Sequence, residues 1–468
     1  PTTVLEGAAL DRRLAPSIAA TIAGEPGVTA RTNGPMATQP VVRGLAGDRV
    51  LVLEDGQRTG DIATTAADHA VTIDPLAARR VEIVRGPAGL LYGSNVLGGV
   101  VNVVRDDVPR ERPAQLTAQV GAMGESVNRG GVVGGQAALP AGPLALRVAG
   151  VARTARDVRT PGGPLPFTGL DAYEYSAGAS RAGARGHVGA AVREVRSNYG
   201  VPSSFAGLAL PGAHVGGVYV ALRRTTGRVD AEWRPARAAA RPADSTRGGV
   251  ERVTAAVQYV RFAQDELERG GFVGTRFGQL AASGDAIVRY RRGGRLPAQG
   301  AVGVWGQWRD FRATGGFTGT RPAQVVGGAL FAYEEVRLGR LTAMAGARVD
   351  RVRITPLDRT ETALLRDVRD RAFTAPSGAL AVAWAAGGGV RVGASVARAF
   401  RAPALEELYS AGPHLATYAY EIGNPSLRPE RGTGGEAFVR VERRRGSAEL
   451  AVWRSDLADF VYQAPLVE

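Results

Sequence analysis

Cysteine and lysine are both absent from this chain of 468 residues. Without cysteine, neither disulfide bonds nor thiolate metal ligands are available. Without lysine, all 58 basic side chains are arginine, and the 44 Asp and Glu residues leave a formal net charge of +14. A charge of this size is common in nucleic-acid-binding proteins, but here the arginines are scattered and many alternate with apolar residues. We therefore expect no nucleic-acid partner.

Long hydrophobic runs and histidines are also scarce. No apolar stretch approaches the about 20 residues of a transmembrane helix, so a membrane-spanning form of this chain would have to be a β-barrel. The four histidines are in no HExxH motif, and neither a GxSxG nor a P-loop motif is present. Because no nucleophile, base and acid stand out together, we expect no enzyme activity and no bound cofactor.

Glycine and proline are abundant, with 64 and 27 residues, yet 44% of the residues are hydrophobic, which indicates an ordered β protein. From about Ala114 onward, segments of about 10 to 15 residues alternate apolar with polar or small side chains between Gly, Pro and Asp turns. Residues 144–151, 253–262 and 341–350 are examples. This pattern is expected of strands with one face on lipid and the other on a watery lumen. We count about 16 such strands up to Glu468.

The N-terminal part has a different character, and residues 1–108 are predicted to form a small mixed α/β domain. Apolar spacing typical of a helix covers residues 8–23, and short strands are expected nearby, at residues 41–43 and 49–53. The charged, proline-containing stretch 106–113 is typical of a linker. We therefore assign residues 109–468 to a second domain.

Residues 81–104 carry the most specific signal in the chain. They combine a β-rich run, a tight turn containing Pro87, several glycines and a second β-rich run. This segment resembles the plug domain of TonB-dependent outer-membrane receptors. Three other motifs resemble the same family and follow its order along the chain, at residues 43–56, 400–409 and 424–430.

The resemblance implies a mainly β protein, in which an N-terminal mixed α/β plug lies inside a large antiparallel transmembrane β-barrel. Plugged barrels of this kind need about 22 strands, so about 16 strands imply that the final strands follow Glu468. The segment that binds the energy-coupling partner is expected before Pro1. On this interpretation the chain is truncated at both ends.

The resemblance also implies a function. Receptors of this family lie in the outer membrane of Gram-negative-type bacteria, in contact with its lipid, and take up a scarce ligand. A TonB-type energy-coupling protein of the inner membrane drives the uptake. We expect a monomer with a small-molecule or metal ligand.

Within the family, residues 67–70 and 412–417 resemble the zinc-uptake receptors and their relatives. Carboxylate oxygens and imidazole nitrogens suit Zn²⁺. The candidate ligands are therefore Asp68, His69 and His414, with another oxygen from Glu421 or from a strand carboxylate such as Glu334 or Glu335. The Zn²⁺ would be transported cargo. A plainer interpretation is a polar turn with solvent-exposed histidines. The region 198–216 also departs from the zinc receptors, because it contains one histidine where they carry a His-rich loop.

Other functions remain open at this point. An iron-chelate receptor, for a siderophore or haem, and a cobalamin receptor are the alternatives within transport. A non-transporting surface-binding barrel and the fragment of a broken gene are alternatives of another class.

Four charged residues are predicted to anchor the plug. Family plugs are often held by buried arginines that face barrel carboxylates, which implies contacts from Arg43 and Arg85 to Glu430 and Glu436. The alternative is that both arginines are simply solvated in a wet lumen.

Overall fold

The computed structural model describes residues 2–66, 68–85, 89, 92–93, 95–202, 217–236, 248–268, 271–294, 296–414, 419–444 and 446–465. Within these residues the chain forms a small N-terminal unit, here called the plug, and a large antiparallel sheet, here called the wall. Strands near both edges of the wall contact the plug, through Arg153 on one side and Glu436 on the other. The predicted fold class, mainly β with a plug and a large antiparallel barrel sheet, is confirmed.

The plug contains two short helices, a hairpin and a five-stranded sheet. Their bounds are Thr2–Glu6 (β1), Gly7–Asp11 (α1), Ile18–Ile22 (α2), Val28–Thr32 (β2), Thr38–Val42 (β3), Val50–Glu54 (β4), Gln57–Arg58 (β5), Arg80–Val84 (β6) and Gly99–Val104 (β7). The sheet order is β1-β6-β7-β4-β5, with β4 and β7 parallel and the other neighbours antiparallel. The Val-rich strands β6 and β7 lie in its centre, and every residue of β7 is buried. Gly86, Pro87 and Leu91 of the predicted plug motif lie outside the described residues.

The predicted helix over residues 8–23 is wrong as a single element, because the structure has α1 and α2 in its place. Pro16 lacks an N–H and disfavours the helical conformation in the residue before it, so one helix cannot run through this stretch. Ser17 begins α2, and its side-chain oxygen accepts a hydrogen bond from the Ala20 N–H at 3.2 Å. The helix buries Ile18 and Ile22 in the plug core.

Over the residues that the structure describes, the wall has 15 strands, each paired antiparallel with the next, close to the expected 16. Their bounds are Thr117–Glu125 (β8), Gly130–Ala141 (β9), Leu144–Ala155 (β10), Leu170–Gly183 (β13), Gly186–Val201 (β14), Val218–Trp233 (β15), Gly249–Leu267 (β16), Val273–Arg292 (β17), Ala298–Thr314 (β18), Ala323–Leu338 (β19), Leu341–Pro356 (β20), Arg371–Gly387 (β21), Val390–Arg401 (β22), Glu430–Arg443 (β25) and Gly446–Ala458 (β26). In the part of the chain that the structure describes, β8 and β26 form the two edges of this sheet.

Four short strands and one helix lie in the connections between wall strands. They are Val158–Thr160 (β11), Gly163–Leu165 (β12), Leu405–Tyr409 (α3), Ala411–His414 (β23) and Ala419–Ile422 (β24). The connections at residues 357–370 and 402–429 lie at the same end of the wall, here called the long-loop end, because consecutive strands run antiparallel.

The wall strands show why the sequence alternates. In β16, Val260 and Phe262 are buried against the plug side, whereas Val257 and Tyr259 are 61% and 49% exposed on the outer side. Because side chains of a strand point to alternate faces, this places apolar groups on the outside of the wall, as lipid contact requires. Among the described residues, no helix combines the length and the apolar character needed to cross a membrane.

A buried set of charges, here called the Arg193 network, joins the plug to β13–β15. It comprises Glu54, Arg105 and Asp107 from the plug side and Glu174, Arg193 and Arg224 from the wall. Arg193 lies 2.9 Å from Glu54 and donates from Nε to Asp107 at 2.8 Å, and Arg224 lies 2.7 Å from Glu54. All six side chains are buried. Such a network replaces hydration by guanidinium–carboxylate contacts.

The electrostatics of the plug carboxylates follow from this arrangement. Burial alone would raise the pKa of Glu54, but the guanidinium groups of Arg193, Arg224 and Arg105 outweigh burial and hold the pKa below its usual value. Burial also opposes the ionisation of Asp107. The charges of Arg193 and Arg105 outweigh the effect of burial and lower the pKa of Asp107. Burial raises the pKa of the neighbouring Asp55. The plug is therefore held by ionised Glu54 and Asp107.

Removing the central cation should loosen the plug. In an Arg193→Met variant, Glu54 and Asp107 lose a main partner, and breaking a buried pair in this way costs about 3–5 kcal/mol. We expect hydrogen exchange of the β4 and β7 amides to accelerate by at least about 100-fold, if the plug opens locally. Arg196→Met on the same strand is the control, since Arg196 pairs with Glu194 and its side chain is 54% exposed. Equal protection in both variants would contradict the role assigned to Arg193.

Acid should also weaken the Arg193 network between plug and wall. Because the folded-state pKa values of Glu54 and Asp107 lie below their usual 4.5 and 3.8, their stabilisation is present above about pH 4.5 and is lost as the pH falls below it. Asp55, with its raised pKa, titrates in the opposite sense and reduces the net loss. Calorimetric unfolding midpoints between about pH 6 and pH 3 should fall less steeply for Glu54→Gln than for the natural protein. Identical slopes would contradict the assignment.

Candidate metal centre and plug anchors

The plug segment after β5 folds into a loop that Asp61 holds in place. Its carboxylate accepts hydrogen bonds from the Thr59 hydroxyl at 3.0 Å, the Ala63 N–H at 3.2 Å and the Thr72 hydroxyl at 2.8 Å. A short aspartate side chain commonly stabilises turns by accepting from nearby backbone and hydroxyl groups. The loop carries Asp68 and His69 to the long-loop end of the wall.

His69 is oriented by the loop itself. Its Nδ1 lies 2.7 Å from the Thr65 hydroxyl oxygen and 3.2 Å from the Ile62 carbonyl oxygen. Because the Thr65 hydroxyl donates to the same Ile62 carbonyl at 2.7 Å, the Thr65 oxygen is left to accept from Nδ1–H. These bonds place a proton on Nδ1, and Nε2 then either carries a second proton or binds a metal ion.

The Nε2 side of the ring faces two carboxylates. Glu266 Oε1 lies 3.3 Å away and Asp68 Oδ2 lies 3.8 Å away, and the three candidate ligand atoms are within 4.8 Å of one another. Asp68, His69 and Glu266 are 1%, 3% and 7% exposed. Such a set is held together either by a protonated imidazole or by a metal ion between the three groups. We call these three residues the His69 cluster.

Further acidic residues surround the cluster. Glu268 is buried beside it, and burial, followed by the charge of Glu266, raises the pKa of Glu268 to about 7. A cavity of about 30 Å³ is lined by residues of both plug and wall, among them His69, Glu266, Glu406 and Glu421. This volume matches about one water molecule, so the cavity has the size of an ion.

The sequence predicted part of this centre. The structure brings Asp68 and His69 together, and Glu421 lines the cavity beside them. His414 lies in β23, where its backbone pairs with Ala419, and its side chain is outside the described residues, as are residues 415–417, Ala67 and His214. Glu266 was missed. The acidic run 265–268 at the end of an alternating strand was the available signal.

The predicted anchors are arranged differently from the expectation. Arg43 contacts Glu436 on β25 and lies over the ring of Trp453. Glu430 instead receives Arg49, whose Nε donates at 3.0 Å, and Arg401 of the wall, whose Nε donates at 2.8 Å. Arg49 follows Asp48 within the family-like motif at residues 43–56 and was overlooked.

The anchor prediction for Arg85 is wrong. Its guanidinium donates to the Pro26 carbonyl at 2.6 Å and to the Thr3 hydroxyl at 2.5 Å, both within the plug. The reason is its position directly after β6, which lies inside the plug sheet next to β1. Arg85 therefore stabilises the plug internally, and Arg49 makes the contact to the wall.

Comparison with known proteins supplies the family. The family model described as TonB dependent receptor-like, beta-barrel matches residues 148–468, and the TonB-dependent Receptor Plug Domain model matches residues 1–100. The chain is 34% identical over 151 residues to the Vitamin B12 transporter BtuB of Photobacterium profundum, which is 32% of this chain and 25% of that protein. It is 43% identical over 100 residues to the Hemin receptor of Yersinia pestis, 21% of this chain and 14% of that protein. The matches thus span a quarter or less of these relatives.

Solved structures share the fold. The copper transporter OprC superposes with a TM-score of 0.77 at 16% identity, covering 94% of this chain and 68% of that one. The Serratia marcescens hemophore receptor HasR, solved as a double mutant with its hemophore HasA and heme, gives 0.76 at 17% identity, covering 97% and 72%. With its barrel model matching more than half of the residues, the chain belongs to the TonB-dependent receptor family of the Gram-negative outer membrane.

Proposed function

We propose that this chain forms the plug and much of the barrel of an outer-membrane receptor that imports a divalent transition-metal ion such as zinc. An inner-membrane protein of the TonB type would supply the energy. The observation that carries the cargo assignment is the orientation of His69, whose Nε2 atom faces the carboxylates of Glu266 and Asp68. The function is transport, without a catalytic step.

The chemistry of the cluster supports this cargo. Imidazole nitrogen and carboxylate oxygen are ligands that Zn²⁺ accepts, and a set of three leaves a position open for exchange. The hydrogen bonds that Nδ1–H donates to the Thr65 hydroxyl and the Ile62 carbonyl match the way that metal-ligating histidines are usually held. The site lies between plug and wall, so an ion bound there would contact both.

A second cargo class is favoured by the relatives. Proteins named as a hemin receptor and a vitamin B12 transporter match parts of this chain, which supports an iron-chelate or cobalamin receptor. The cavity beside His69, at about 30 Å³, has no room for a tetrapyrrole. A cargo of that size would therefore rest above the plug, on the external loops, and would leave the His69 cluster unused.

Zinc calorimetry on the purified receptor separates these assignments. We expect one site per chain in the natural protein, and its loss in His69→Ala, because the imidazole supplies one of three ligands. Thr65→Val should weaken binding by about 10-fold, since it removes the group that orients the ring. His414→Ala tests the ligand whose side chain lies outside the described residues.

His187→Ala is the matched control, because His187 pairs with Asp230 at 3.5 Å on β14 and β15, away from the cluster. It should bind zinc as the natural protein does. The absence of zinc heat from the natural protein, together with binding of haem or cobalamin, would replace the metal assignment by the second cargo class.

Energy dependence tests the transport class separately. Uptake of radioactive zinc by cells that make the receptor should fall to the level of cells lacking it when the proton gradient is dissipated or the energy-coupling protein is deleted. Zinc binding to the outside should persist under both treatments. Uptake that continues without energy would indicate a passive or purely binding barrel.

A further inference from the structure

The plug is held unevenly by the wall. On the β13–β15 side the Arg193 network binds it, and on the β22 and β25 side Arg49 and Arg43 contact Glu430 and Glu436. Between these two sides lie strands β16–β21, and the plug contacts considered next are those with β16–β20. Within the described parts of the chain, the contact between the plug and these strands that becomes an ion pair on protonation is the one from His69 to Glu266, at the long-loop end.

Below that pair, the hydrogen bonds to β16–β20 are made by amides and hydroxyls, and the Arg58 guanidinium lies over the ring of Trp305. Gln258 donates to the Arg58 carbonyl at 2.6 Å, Gln279 donates to the Gly60 carbonyl at 2.7 Å, and Ser283 donates to the Gln57 side chain at 2.9 Å. Gln57 also donates to Asp285. None of these contacts requires two opposite charges to separate, and hydrogen bonds of neutral groups exchange readily with water.

A cavity of about 160 Å³ lies on this same side, between plug and wall. Arg58 and Asp61 of the plug line it, and Gln307, Trp305 and Trp308 line it from the wall. The lining mixes amide oxygens, carboxylates and indole rings. The space between plug and wall on this side is therefore already open before the plug moves.

One ion pair separates this cavity from the His69 cluster. Arg309 of β18 lines the larger cavity, and Glu406 of α3 lines the small cavity beside His69. Their Nη2 and Oε1 atoms lie 3.5 Å apart. Arg309 also contacts Gln279, so the pair is tied to the neutral part of the interface.

We propose that the transported ion crosses the plug along the β16–β20 side of the wall, through the larger cavity, and that the Arg309–Glu406 pair closes this route below the His69 cluster. The inference rests on the proposed transport function and adds the path. Movement along this side breaks neutral hydrogen bonds that water can replace. Movement along the other two sides would strand buried charges in the Arg193 network or at Glu430, which is far costlier.

The absence of cysteine gives a direct test, because a single introduced thiol has no background. Gln307→Cys places the thiol in the larger cavity, and Ala191→Cys places one on β14, two residues from Arg193 and equally on the plug side. Cells making the receptor are treated from outside with a small, membrane-impermeant thiol reagent, with and without an uncoupler. Labelling is read by mass spectrometry.

We expect Gln307→Cys to react at least about tenfold faster in energised cells, since a minor open form of about 10% or less would become the main form. Ala191→Cys should react equally slowly with the thiol reagent in cells with and without the uncoupler. Ser283→Cys, in the same cavity, repeats the test if Gln307→Cys does not assemble. Adding Glu406→Gln should raise the labelling of Gln307→Cys without energy, because it weakens the closing pair.

Two other outcomes of the labelling experiment would contradict the proposed path. Faster labelling at Ala191→Cys as well would indicate that the plug leaves the wall as a whole. Unchanged labelling at Gln307→Cys and Ser283→Cys, while energised zinc uptake proceeds, would place the route elsewhere. Failure of the transport proposal is distinct, because it appears as missing zinc binding or missing energised uptake in the natural receptor.

Discussion

The structure depends on the compensation of charge at the surface between plug and wall. A carboxylate or guanidinium that leaves water costs several kcal/mol unless a partner of opposite charge and good geometry replaces the solvent. In the Arg193 network, Glu54 of the plug receives two wall arginines, Arg193 and Arg224, and Asp107 shares Arg193. The use of arginine as the only long basic side chain suits this surface, since its planar fork contacts two acceptors while staying charged.

This compensation also sets the plug's orientation, and through it the place of the functional residues. With one side held at Arg193 and another at Glu430, the loop that Asp61 stabilises reaches the long-loop end in one register against β16. His69 then meets Glu266, a residue 197 positions away in the sequence. The cluster is thus a product of the interface and has no existence in either part alone.

Sequence patterns were sufficient for the fold and for two of the three residues of the His69 cluster. Period-2 alternation identified the wall strands because each has one apolar face on lipid, and the plug motif identified the family. Asp68 and His69 are adjacent in sequence, so one motif revealed both. Glu266 was missed because its role depends on which strand faces the loop, and alternation does not give strand neighbours across a lumen.

The anchors show the same limit in another form. Arg43 and Arg85 are alike in sequence, each preceding a glycine, but Arg43 faces Trp453 and Glu436 of the wall whereas Arg85 turns to Thr3 and Pro26. The difference arises from sheet order: β6 pairs with β1, so the residue after β6 finds plug acceptors first. A long polar side chain donates to the acceptors that the sheet order places near it. A local sequence motif does not reveal the sheet order.

The His69 cluster differs in kind from the other contacts between plug and wall. An arginine keeps its charge at any physiological pH, so the Arg193 and Glu430 contacts are permanent while the plug is seated. At His69 the group that faces Glu266 is an imidazole whose ring is neutral unless it gains a proton or a metal. The charge balance of this one contact therefore changes with occupancy. The contact lies on the side where neutral hydrogen bonds predominate, so a proton or an ion bound at His69 would act where the plug makes its weakest contacts with the wall.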